Sequence, residues 1–134
     1  MITQGKITER IDTKALLSTL WIVVMFNMLK ADILSLYIPG ALDELVKFAG
    51  ETPIPQMMLG AAVLMEISIA MILLARVLPY RFNRWANILV ALFTIVFIIG
   101  GGSLYPHYLF IAAVEIVCLL AIIGIAWRWS KPVV

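Results

Sequence analysis

The sequence predicts an all-α polytopic membrane protein, a bundle of four transmembrane helices with one short interfacial helix between the first and second. Three observations carry this. Of its 134 residues, 63% are hydrophobic and 13% charged, against roughly 45–50% and about 25% in a soluble domain. Mean hydropathy is +1.05. The apolar residues also gather into four runs of about 20, the length that crosses a hydrocarbon core of about 30 Å. A chain of this size is expected to form one membrane domain, 1–134.

Residues 1–13 are polar and mixed in charge (Lys6, Glu9, Arg10, Asp12) and read as a cytoplasmic lead. The first span, about 14–38, ends at Pro39-Gly40, which stops a helix. Its length exceeds a signal-peptide core and no small-residue cleavage site follows, so it reads as retained. Between Pro39 and Pro53, Leu42, Leu45, Val46 and Ala49 share one helical face, while Asp43, Glu44 and Lys47 fall mostly on the other. That pattern suits an amphipathic helix lying on the outer interface. The second span, about 54–78, is bracketed by Pro53, Pro55 and Pro79. The third covers about 85–104. The fourth, about 106–129, opens on a proline, where a missing N–H costs least.

Orientation follows from the basic residues. Lys6, Arg10, Lys14, Arg76, Arg81, Arg84, Arg128 and Lys131, eight of the ten, fall at one end of the four spans. This places both termini on the cytoplasmic side of a cell membrane. Trp85, Trp127 and Trp129 then sit at the inner boundary, with Tyr37, Tyr105 and Tyr108 at the outer one. A net charge of +2 gives no reason to expect nucleic acid as a partner. The single cysteine, Cys118, permits neither an internal disulfide nor a CxxC site.

Inside the spans, polar side chains carry the information, because each is costly in lipid and tends to face the bundle interior. Glu66 lies at the middle of the second span, with small residues a turn away on either side. Glu115 lies near the middle of the fourth, seven residues after Tyr108 and on almost the same face. Two carboxyls at one depth would share protons if they met. Each has a plainer use, as a hydrogen-bonded packing group. Asn27 and Lys30 lie on one face of the first span, while Asp32 points roughly the other way. One of Lys30 and Asp32 therefore faces the interior, and the other snorkels to the boundary. In the third span, Asn83, Asn87, Ala91, Thr94 and Gly101 form a small and polar stripe, suited to packing or to lining a pocket. The glycines 100–102 suit either a hinge or a close approach.

Asn27, Lys30, Glu66, Thr94, Tyr108 and Glu115 are the candidate ligand-binding residues. They suggest a polar pocket within the bundle that binds or moves a small amphiphilic molecule. His107 is the only histidine, too few for a bis-histidine haem, so no metal site or cofactor is assigned. The bundle's thin wall makes a homodimer plausible, with the lipid bilayer as its surroundings. Two other functions compete. One is an enzyme moving protons on a lipid-like substrate, as in an isomerase; the other is an accessory subunit.

The runs ALLSTLWIVVMFNMLKADI, LMEISIAMILLARVLPYRFNRWANI and AAVEIVCLLAI resemble a family of small bacterial integral membrane proteins of unknown function, over most of the span from Ala15 to Trp129. The acidic second helix, short basic turn and overall size also resemble the DoxX-like group of four-helix membrane proteins. That second resemblance implies a four-helix fold and association with quinone-linked redox enzymes; related folds include lipid isomerases. It implies no particular catalytic residue here.

Overall fold

A computed structural model describes residues 12–130. The expected N-terminal lead, with Lys6, Glu9 and Arg10, and Lys131 near the C-terminus lie outside those residues, apart from Asp12 and Thr13. The order is α1 (Thr13–Ser35), α2 (Ala41–Ala49), α3 (Ile54–Val77), α4 (Tyr80–Gly100) and α5 (Pro106–Arg128). Four of these helices, all but α2, are long and apolar enough to cross a membrane. The chain is a membrane protein built as a four-helix bundle.

The helix ends follow local chemistry. Pro53, Pro79 and Tyr105 have extended backbones and precede α3, α4 and α5. Proline fixes φ in a range that suits the residue entering a helix but removes the N–H that would continue one. The third span therefore starts at Tyr80, five residues earlier than the apolar run suggests, because Tyr80-Arg81-Phe82-Asn83-Arg84 follow Pro79 directly into the helix. It also stops at Gly100 rather than Leu104, and α1 stops at Ser35 rather than Ile38. Gly40 precedes α2 with φ 83°, left-handed backbone that a Cβ would strain. No residue of α2 is buried, and Lys47 meets Glu44 at 3.6 Å on its exposed face.

In the ring of spanning helices, α1 packs on α3 and α5, and α4 closes the ring by contacting both. Thus α3 and α5 stand diagonally opposite. The core follows a 3–4 spacing on α1 (Leu17, Trp21, Val24, Met28), joined by Met71, Ala75, Ala91, Leu119 and Ile122. Buried hydrogen bonds tie the helices together. The Trp21 indole N–H donates to Asn87 Oδ1 across the interior (2.8 Å), and Asn87 Nδ2 donates to Asn83 O (2.8 Å) and Oδ1 (2.6 Å). Asn83 Nδ2 in turn donates to Ala75 O at 2.7 Å, fastening α4 to α3. Where lipid supplies no donors or acceptors, such pairs fix helix register.

At the end carrying the α3–α4 turn, Arg84 donates from Nε to Ala126 O (3.0 Å) and from Nη2 to Trp127 O (2.9 Å), quenching carbonyls at the close of α5. Its guanidinium lies 5.6 Å from the Trp85 ring centre and 5.4 Å from that of Trp127. Tyr80 donates to Trp129 O at 2.6 Å. Arg76 caps the same region by donating to Ser18 Oγ at 3.2 Å, whose own hydroxyl donates to Ile72 O at 2.7 Å.

Candidate functional site: an acidic cleft at the α2 end

At the opposite end the helices part and leave a cleft of about 560 Å³. That volume lies within the roughly 300–1,000 Å³ typical of small-molecule sites. Met28, Ala31, Asp32 and Ser35 of α1 form one wall, and Met58, Ala61, Ala62 and Met65 of α3 another. Phe97, Ile98 and Gly101 close it from α4, Tyr108 and Glu115 from α5, and Leu45 of α2 overlies it.

The α1 wall continues the core stripe. From Trp21, steps of three and four residues lead through Met25 and Met28 to Asp32 and Ser35, so Asp32, although exposed, lines the mouth of the cleft. Lys30 is two positions back, about 200° around the helix, and is exposed. The depth of each acid can be worked out from a cross-link. Ser35 Oγ and His107 Nε2 are 3.1 Å apart, so the end of α1 and the start of α5 are level. At 1.5 Å per residue, Asp32 then lies about 5 Å below that tie and Glu115 about 12 Å below it. One carboxyl stands at the mouth and the other well inside.

Glu115 is only 3% exposed, yet it makes no hydrogen bond or ion pair among the described residues. Its carboxyl faces the cleft. Tyr108, one residue past the tie, lies nearer the rim than either acid, and its hydroxyl donates to Ile98 O at 2.9 Å, drawing the start of α5 onto the end of α4. The glycine run serves that approach: a Cβ on Gly102 would meet Ile99 O at 3.2 Å and Tyr108 Cε1 at 3.6 Å. His107 stacks on Tyr105, with ring centres 6.2 Å apart. Among the described residues no three His, Cys, Asp or Glu side chains gather as a metal site would require.

The six residues singled out from the sequence divide. Tyr108 and Glu115 line the cleft together; Asn27, Lys30, Glu66 and Thr94 do not. Glu66 is exposed, on a face of α3 roughly 200° from buried Ser68. It also belongs to the helix diagonal to that of Glu115, so the two mid-span acids point apart rather than face each other. Thr94 is buried in packing: its hydroxyl donates to Val90 O (2.7 Å) and is met by that of Ser68 (2.7 Å). Asn27 turns onto its own helix, donating to Val23 O at 2.8 Å. Sequence reasoning left Asp32 and Lys30 undecided, and it passed over the methionines and Ser35. The available signal was the Trp21–Met25–Met28–Asp32–Ser35 spacing, which carries the line of the buried stripe of α1 past Met28 to the cleft-lining Asp32 and Ser35.

The model of a family of unknown function (DUF6326) matches residues 6–134, and the chain belongs to that family. No curated protein and no solved structure matches it.

Proposed function

We propose that this member of a family of unknown function binds a small amphiphilic molecule in the cleft between α1, α3 and α5. The observation that carries this reading is Glu115. A mid-span carboxyl that is almost wholly buried, aimed into a cavity and left without a partner has a large unmet need for one. Packing groups in this protein look different: Asn83, Asn87, Ser68 and Thr94 all hydrogen-bond to protein atoms. In this reading the ligand's polar head sits at Glu115, and its apolar part lies along Met28, Met58, Met65 and Phe97.

Eight of ten basic residues support an orientation with cytoplasmic termini. The cleft then opens to the outer leaflet, with α2 lying on that boundary over its mouth. The resemblance to small bacterial membrane proteins supports a bacterial cytoplasmic membrane. A second copy of the chain is the candidate to cover Glu66, because a carboxyl facing lipid at mid-span is costly.

The test is binding to the protein in nanodiscs of zwitterionic lipid, with empty discs subtracted. The radiolabelled probes are decylammonium, decanol and decanoate, which share a tail and differ in head. At least one is expected to bind saturably and to lose that binding in Ala62→Trp, which fills the cleft from an exposed position of α3. Failure of all three to bind refutes the reading.

A further inference from the structure

We infer that the cleft selects a cationic head, an alkylammonium-type amphiphile whose N–H groups donate to Glu115. This rests on the binding reading above and adds the charge and hydrogen-bonding character of the ligand.

The polar inventory of the cleft is one-sided. Asp32 and Glu115 present carboxyls, which as carboxylates only accept. Tyr108 could have supplied a donor, but its hydrogen is already given to Ile98 O, which leaves its oxygen as a further acceptor. Ser35 is tied to His107 at the rim. No Lys or Arg appears in the lining. Lys30 points away on the far side of α1, and Lys47 is exposed on α2 beside Glu44. Nothing the described residues place in the cleft answers Glu115 with a positive charge or a hydrogen. An ionised Glu115 is thus left to a ligand that brings both.

An ammonium does so. It carries several N–H donors and a charge opposite to that of the two carboxylates, and in a site walled by apolar side chains their attraction is stronger than in water. An anion of the same shape meets like charges at the mouth and again at the base, a repulsive element of the kind that creates specificity. A neutral alcohol offers one donor and no charge. The remaining walls also suit a cation with a greasy tail. Thioethers such as Met28, Met58 and Met65 are polarisable and adaptable, and aromatic faces such as Phe97 attract ammonium groups. The staggered acids add a route: Asp32, at the mouth, meets an entering cation about 7 Å before it reaches Glu115.

The experiment compares decylammonium, decanol and decanoate on the full chain in zwitterionic nanodiscs, for wild type, Glu115→Gln, Asp32→Asn and Glu66→Gln. In wild type, decylammonium is expected to bind at least tenfold tighter than decanol, with decanoate weakest. Glu115→Gln should lose that tenfold advantage and leave decanol binding within about twofold. Asp32→Asn should weaken decylammonium several-fold, chiefly through slower association, and Glu66→Gln should match wild type. Melting curves identify any variant that fails to fold; if Glu115→Gln does, the Asp32→Asn result decides. Decanol or decanoate binding as tightly as decylammonium, with loss in Ala62→Trp, overturns the cation assignment and leaves the cleft as a general amphiphile site. Decylammonium selectivity unchanged by both carboxyl substitutions also overturns it. Absence of binding by every probe overturns the underlying reading instead.

Discussion

Replacing Glu115 by leucine should stabilise this protein. Glu115 is the tenth residue of a 23-residue helix that crosses the bilayer, so it lies close to mid-span. Its side chain is 3% exposed and has no hydrogen-bond partner among the described residues. Insertion of an acidic residue at such a depth costs about 2.5–3.5 kcal/mol. A buried polar group without a partner costs about 1–3 kcal/mol in protein mutational data. Leucine is close to glutamate in length and adds no cavity, and lipid offers no competing solvation for it. The gain should therefore be about 1–3 kcal/mol, with the preference for decylammonium over decanol abolished, as expected when a functional group has been kept at the expense of stability. The assay is reversible unfolding in bicelles by titration with sodium dodecyl sulfate, followed by circular dichroism in the absence of probe. A loss of 1 kcal/mol or more would refute the reasoning, because it would mean that Glu115 holds helices together.

The packing groups should behave oppositely. Asn87→Leu strands the Trp21 N–H and Asn83 Oδ1 in the core and should cost about 2–4 kcal/mol in the same titration. Ser68→Ala leaves the Thr94 hydroxyl still bonded to Val90 O, so its cost should stay at about 1 kcal/mol or less. Arg84→Ala removes two hydrogen bonds to α5 carbonyls and two aromatic contacts, and a loss of about 1–2 kcal/mol is expected, against little change for exposed Arg81→Ala. Glu66→Leu should leave decylammonium affinity within twofold of wild type, measured in the nanodisc assay, since Glu66 lies outside the cleft.

Much of this molecule is written in one-dimensional pattern. Length and hydropathy specify four crossings, because lipid admits only segments that satisfy their own backbone. The prolines at 39, 53, 79 and 106 set the breaks, since proline cannot donate within a helix, and the amphipathic spacing of Leu42, Leu45, Val46 and Ala49 marks α2. The polar stripe of α4 was legible as an inward face, and the structure shows Asn83, Asn87 and Thr94 buried there. What the sequence did not determine is which polar groups share a space. Glu66 and Glu115 are alike in type and depth, and a one-chain reading treats them alike. Yet 200° of helix rotation sends one to the outer face of α3, while the packing of α5 between α1 and α4 turns the other into the cleft. Lys30 and Asp32 posed the same question, since they lie two residues apart. Helix rotation is fixed by interhelical packing, here by the Trp21–Asn87 and Ser18–Ile72 bonds that lock α1, so the tertiary structure alone decides which acid faces the cleft.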